Sequence, residues 1–200
     1  MKLFYSPGAC SLAVRIVLNE ANLPFTGIAA STKTHKLEDG SDYYQINPKG
    51  YVPYLVLDNG EGLSEGPVIC QYVADLAPEK KLIPACGTMA RYRVQEWQNF
   101  IGTELHKNFG PLFNPAFPDA AKAINIERIK QRLAYVDESL AGKNYLTGDD
   151  FTVADAYLFV VSTWAGFMKI DISHLHNLAA FMARVAARPM VAKSLKEEGF

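Results

Sequence analysis

The sequence predicts a thin α/β domain followed by an all-helical domain. Three observations carry this. In the first eighty of the 200 residues, short strand-like apolar runs alternate with helix-like ones. From about residue 88 onward every apolar pattern has helical spacing. Between them, "EKKLIPACG" combines a proline, a glycine and a charge cluster, the composition of a linker. The expected domains are therefore residues 1–80 and 88–200, and 200 residues can bury a core without disulfide staples.

In chain order, "KLFY" is a short buried strand, and "SLAVRIVLNEANL" is a helix with Leu12, Ile16 and Val17 near one face. "FTGIAA" is a weaker strand, and the polar stretch "STKTHKLEDGSDYYQINPKG" is a loop with a short helix. "YLVLD" is a strand followed by the hairpin signal "NGEG". "PVICQYVADLAP" is a helix with Pro67 at its start, where the missing N–H costs nothing. The front of the chain thus reads as a βαβ crossover. In the second half, "TMARYRVQEWQNFIGTELHKNF" is a long amphipathic helix. Ile126, Ile129, Leu133, Val136 and Leu140 form the apolar stripe of the next, which closes on Gly142. "TVADAYLFVVSTWAGFM" is apolar nearly all round, the mark of a buried central helix. "HNLAAFMARVAARP" is a last helix, stopped by Pro189.

Composition excludes several classes. A net charge of −1 implies no basic surface, so nucleic acid is not an expected partner. No apolar run reaches the roughly 18–20 residues of a membrane span. The N-terminus lacks the apolar core of a signal peptide, which makes the cytoplasm the expected compartment. Three cysteines, Cys10, Cys70 and Cys86, are an odd number without metal-ligand spacing, and the histidines show no ligand pattern; no metal is expected.

Five places can carry chemistry. Cys10 follows Pro7 and Gly8 and precedes a helix starting at Ser11, whose free N–H groups and dipole favour a thiolate; the alternative is a small buried side chain. Pro53 stands directly before a strand and marks an edge or a turn, with the Val52–Pro53 bond either cis or trans. Ser64 and Glu65 precede Gly66 and Pro67 at a helix start. That suits a zwitterionic amino-acid head, carboxylate on the N–H groups and ammonium on Glu65, or else simple capping. Asn99, Thr103 and His106 share a helix face at i, i+4, i+7, as a cleft wall or as a solvated stripe. Thr152 and Asp155 form a capping-box variant, read as folding rather than chemistry, with Asp155→Ala expected to cost about 0.5–2 kcal/mol.

Taken in order, "SPGACS", "NPKGYVP", "LSEGPVICQYVAD", "ELHK" and "GDDFTVADAYLF" resemble the cytosolic glutathione transferases along essentially the whole chain, and most of all the bacterial beta class with its N-terminal cysteine. The resemblance implies a thioredoxin-like N-terminal domain with Pro53 in cis and a helical domain carrying the electrophile site. It implies that Val52 pairs its backbone with the cysteinyl part of glutathione, and that Glu65 and Gly66 hold the γ-glutamyl head. Cys10 and His106 would be catalytic at the glutathione sulfur. Asn99 and Glu104 would approach the glutathione of the partner subunit in a homodimer. Lys107, Phe109, Phe113 and Trp164 would line the electrophile site.

Two departures stand out. His35 occupies the place where the class commonly has a lysine for the glycine end of glutathione; His35, Lys36 or Lys33 can take that role. A neutral imidazole attracts a carboxylate less than an ammonium does, so weaker, pH-dependent affinity is expected. The usual "SLSPHI" is "SLAVRI" here, which puts Val14 and Arg15 in the first helix. The implied activity is transfer of the glutathione thiolate to hydrophobic electrophiles carrying alkyl or aryl groups, with thiol-transferase chemistry through a mixed disulfide at Cys10. The alternative is a non-enzymatic glutathione- or hydrophobic-ligand-binding carrier of the same fold.

Overall fold

The computed structural model describes residues 1–200, which divide into two units, Met1–Ile83 with Arg188–Phe200, and Pro84–Ala187. The first unit is built on a four-stranded sheet of order β2-β1-β3-β4, with β1 Lys2–Tyr5, β2 Thr26–Ala29, β3 Tyr54–Val56 and β4 Gly62–Ser64. β1 and β2 are parallel, as the crossover through α1 (Ser11–Glu20) requires, while β3 runs antiparallel to β1 and β4. Successive strand residues face opposite sides. Leu3 is wholly buried, while its neighbour Phe4 joins Ala30 and Tyr43 in a separate cluster closed by Ile28, Leu37, Val52 and Tyr54. α2 (Gly66–Asp75) packs beside α1, with Ile16, Val17, Ile69 and Val73 fully buried.

The second unit holds α3 (Met89–Phe100), a π-helical turn Ile101–His106, α4 (Lys107–Phe109), a 3-10 turn Gly110–Phe113, α5 (Asp119–Leu140), α6 (Val153–Phe167) and α7 (His176–Ala186). α6 is the central helix expected from its composition, with Val153 to Val161 all buried. Ile129, Leu133, Val136 and Leu140 of α5 are buried as their spacing predicts. No helix is long and apolar enough to cross a membrane.

The C-terminus departs from the expected boundaries. Pro189 does not merely stop a helix. It stands in the first turn of another, α8 (Pro189–Glu197), where a proline is tolerated. The expected segment 88–200 therefore does not coincide with the helical unit, which ends at Ala187. The reason is a set of polar pairs between α1 and the chain end. Arg188 grips the Glu20 carboxylate through two nitrogens, at 2.7 and 2.9 Å. Asn19 donates to Ser194 at 2.8 Å, and Arg15 donates to Glu198 at 2.9 Å and to Glu197 at 3.1 Å. Arg15 is thus a buried cation clamped by the C-terminus rather than a surface charge.

Candidate active site

In the first unit, three chain segments meet around Cys10. The turn Ser6–Ala9, closed by the Ala9 N–H on the Ser6 carbonyl, delivers Cys10 to the N-cap of α1. The Gly8 N–H in that turn donates to the buried Glu198 carboxylate at 3.1 Å. The Cys10 thiol donates to the Val52 carbonyl at 3.4 Å, and the Val52–Pro53 bond is cis. The loop leading to Val52 is fixed from beneath, because the Tyr51 carbonyl accepts from the Tyr43 hydroxyl at 2.9 Å and from Asn47 at 2.8 Å. The Pro53 ring lies where a side chain at Gly66, the start of α2, would touch it.

Local structure bears on two of the alternatives left open. The helix start does not by itself make Cys10 a thiolate. Burial pushes its thiol up to about 12, against the pull of the Cys10 and Ser11 N–H groups, and the Glu65 charge adds to the rise. Glu65 also does not cap α2. Its side chain makes no capping hydrogen bond and instead accepts from Lys49 Nζ at 3.1 Å, while Ser64 Oγ accepts from the same ammonium at 3.0 Å. Glu65 sits at φ 70°, a left-handed conformation that costs a non-glycine residue roughly 1–3 kcal/mol. Its carboxylate is largely exposed, at the residue whose backbone takes the N-cap position of α2.

His35 also has a left-handed backbone, φ 53°. Its Nδ1 lies 3.1 Å from the Gly50 carbonyl, and its ring stacks on Tyr44 with centroids 4.7 Å apart. A side chain at Gly50 would collide with both rings, which accounts for glycine there. A carbonyl only accepts, so Nδ1 carries the proton. In the neutral ring Nε2 is then a lone pair, and only the imidazolium offers an N–H to an outside carboxylate.

In the second unit, the π-turn Ile101–His106 shifts the register of the long helix, so the i, i+4, i+7 face expected for Asn99, Thr103 and His106 is not a regular α-helical stripe. Asn99 is exposed and its carbonyl accepts from Thr103 at 3.0 Å. Glu104 accepts from Arg132 at 2.7 Å. His106 Nδ1 lies 2.6 Å from the Tyr157 hydroxyl, and its ring meets Trp164 edge-on at 4.8 Å. Phe109 and Phe113 also stand edge-on to Trp164. Their exposure separates them. Phe109 and Trp164 are buried and support the cluster from within, whereas Phe113 is 49% exposed and Lys107 is exposed.

The chain matches the family models "Glutathione S-transferase, N-terminal domain" over residues 8–76 and "Glutathione S-transferase, C-terminal domain" over residues 100–189. The chain belongs to the glutathione S-transferase family. It is 46% identical to glutathione S-transferase GstA of Escherichia coli O157:H7 over 199 residues, covering 100% of this chain and 99% of that one. A bacterial beta-class glutathione S-transferase from Sphingomonas chungbukensis superposes with a TM-score of 0.96 at 45% identity, covering 100% and 99% of the two chains. A sphingomonad glutathione S-transferase complexed with glutathione gives a TM-score of 0.96 at 44% identity, covering all of both chains.

Two residues of this glutathione S-transferase were not singled out from its sequence as parts of the site. Lys49, in "NPKG", pairs with Glu65; an ammonium in the loop before the Val-Pro step was the available signal. Tyr157 orients His106; a lone hydroxyl in the apolar run "AYLFVV" was the signal there.

Proposed function

We propose that the protein is a glutathione transferase that joins the glutathione thiolate to electrophilic, mainly hydrophobic compounds. The observation that carries this is the convergence of Cys10, the cis Val52–Pro53 step and the Glu65–Gly66 start of α2 in one unit. Each part matches a part of the tripeptide. The γ-glutamyl carboxylate takes the α2 N-terminus and its ammonium takes Glu65. The cysteinyl backbone pairs with Val52, whose carbonyl has a second lone pair beside the one facing Cys10. The glycine carboxylate takes His35 in its imidazolium form.

At the sulfur, the protonated Cys10 turns its single S–H from the Val52 carbonyl to the glutathione thiolate, which avoids placing two anions at one point. His106 is the proposed proton partner of the sulfur. When the Tyr157 hydroxyl donates to Nδ1, Nε2 carries the proton and is the donor. Tyr157→Phe removes that tautomer control; kcat for conjugation is expected to fall about five- to tenfold with KM for glutathione unchanged. An unchanged kcat removes Tyr157 from the mechanism. Phe113, backed by Phe109 and Trp164, offers the apolar surface for the electrophile. The working form is a homodimer in which Asn99 and Glu104 serve the partner's glutathione, and the cytoplasm is its compartment.

Retention on a glutathione matrix, followed by turnover of a chloronitrobenzene-type substrate, tests the reading. Retention with turnover is expected; retention without turnover on any electrophile or disulfide marks a carrier. His35→Lys supplies a permanent cation, and glutathione affinity should rise about three- to tenfold. An unchanged affinity would remove His35 from the glycine end.

A further inference from the structure

We infer that Lys49 is a resident stand-in for the ammonium of the γ-glutamyl head, which glutathione must displace from Glu65 in order to bind. The inference rests on the assignment of Glu65 to that ammonium. Its own evidence is geometric. Lys49 Nζ donates to Ser64 Oγ at 3.0 Å and to Glu65 Oε1 at 3.1 Å, so a primary ammonium already occupies one oxygen of the carboxylate that the ligand needs and neutralises its charge.

The lysine is aimed there by a built turn. Asn47, only 2% exposed, accepts the Lys49 N–H on its side chain at 3.1 Å and the Gly50 N–H on its carbonyl at 2.8 Å. The same asparagine donates to the Tyr51 carbonyl and so ties the lysine to the loop that presents Val52. On the other side, Glu65 is held at φ 70° with no capping duty for its side chain. Both ends of the pair are therefore set by backbone geometry rather than by chance contact of two flexible side chains.

The pair is also replaceable. Lys49 and Glu65 are 53% and 68% exposed, so water screens their attraction and a competing ammonium meets a weak barrier. The consequence is selectivity. With Lys49 in place Glu65 is neutralised, and a bare cation gains little there. A ligand that lacks the ammonium leaves the Lys49–Glu65 pair intact and gains nothing from it. Only a head carrying an ammonium beside a carboxylate exchanges one pair for another while its carboxylate takes the α2 N-terminus.

Lys49→Met and Glu65→Gln test this, with dissociation constants measured by calorimetry for glutathione and for glutaryl-cysteinyl-glycine, which has the same backbone without the amino group. Lys49→Met is expected to tighten glutathione about two- to fivefold at low salt, with the gain shrinking at high salt. It should leave the desamino analogue unchanged or weaker, since Glu65 then faces the ligand carboxylate unpaired. Glutathione binding that is unchanged or weaker in Lys49→Met overturns the inference, and so does equal tightening of both ligands. Glu65→Gln separates this from the parent assignment. If it leaves glutathione affinity unchanged, Glu65 does not hold the ammonium, and the assignment falls whatever Lys49 does.

Discussion

Replacing Cys10 by alanine should abolish glutathione-dependent disulfide reduction, a loss of at least about a hundredfold, while conjugation falls only about fivefold. The asymmetry follows from what each reaction asks of the sulfur. In the thiol transfer we propose for Cys10, its thiolate attacks the glutathionyl sulfur of a mixed disulfide between glutathione and a substrate thiol, a new S–S bond to Cys10 forms, and the substrate thiolate leaves. A second glutathione thiolate then attacks the Cys10 mixed disulfide, releasing glutathione disulfide and regenerating Cys10. No other atom can take the place of Sγ in that cycle. In conjugation Cys10 only donates to a thiolate that glutathione itself provides, and an S–H is a weak donor, worth about 1 kcal/mol. Cys10→Ser keeps a donor without a usable nucleophile, so it should retain conjugation and lack thiol transfer. Conjugation lost in alanine and serine variants alike would mean that Sγ is essential to both reactions.

The same burial sets a pH signature. With the thiol pushed up to about 12, its thiolate fraction at pH 8 is about a thousandfold below that of a free cysteine. Raising a thiol pKa favours the protonated form, so the reactive form appears only as pH rises. Iodoacetamide labelling of Cys10 in the ligand-free protein, read by peptide mass, should climb about tenfold per pH unit through pH 10 without a plateau. Cys86, which is exposed, should label first. A plateau near pH 7 would show a thiolate and shift the mechanism toward nucleophilic Cys10.

The division between what the sequence makes legible and what it hides is physical. Periodicity finds elements whose burial is decided by their own residues, such as α6 and the apolar stripe of α5. It does not find α8's destination, because the partners of Arg15, Asn19 and Glu20 lie far away in the chain and no local pattern encodes them. The π-turn before His106 is hidden for a related reason: one extra residue in a turn leaves the composition untouched while shifting every later side chain. At the site, local sequence leaves Cys10, Pro53 and Glu65 each with an ordinary alternative. Their order along the chain points to one family, and the backbone decides two of the alternatives, with Pro53 cis and Glu65 not capping, while burial pushes the Cys10 thiol toward its protonated form. Lys49 and Tyr157 escape because each acts only through a residue distant in sequence, Glu65 and His106.

Asp155→Ala should destabilise the protein by about 3–5 kcal/mol, more than its capping role alone implies. Its carboxylate is fully buried and accepts three hydrogen bonds, from the Thr152 N–H and hydroxyl at 2.8 Å each and from the Leu146 N–H at 2.9 Å. The Leu146 bond ties the turn around Tyr145–Gly148 to the start of α6, so truncation strands donors on both sides of the loop and not only at the helix end. At roughly 2–4 °C per kcal/mol for a chain of this size, the midpoint should drop by about 10 °C. Burial pushes the Asp155 carboxyl up to about 6 in the folded state, against about 3.9 unfolded, so the folded protein holds this proton more tightly. The associated stability is fully present below about pH 4 and is lost as pH rises through 6. The cost of Asp155→Ala should accordingly be larger at pH 4.5 than at pH 8, by on the order of 2 kcal/mol, in urea titrations of both proteins at both pH values. A cost that grows toward pH 8 would show the opposite balance, with the three hydrogen bonds outweighing desolvation and holding the carboxyl below its unfolded value.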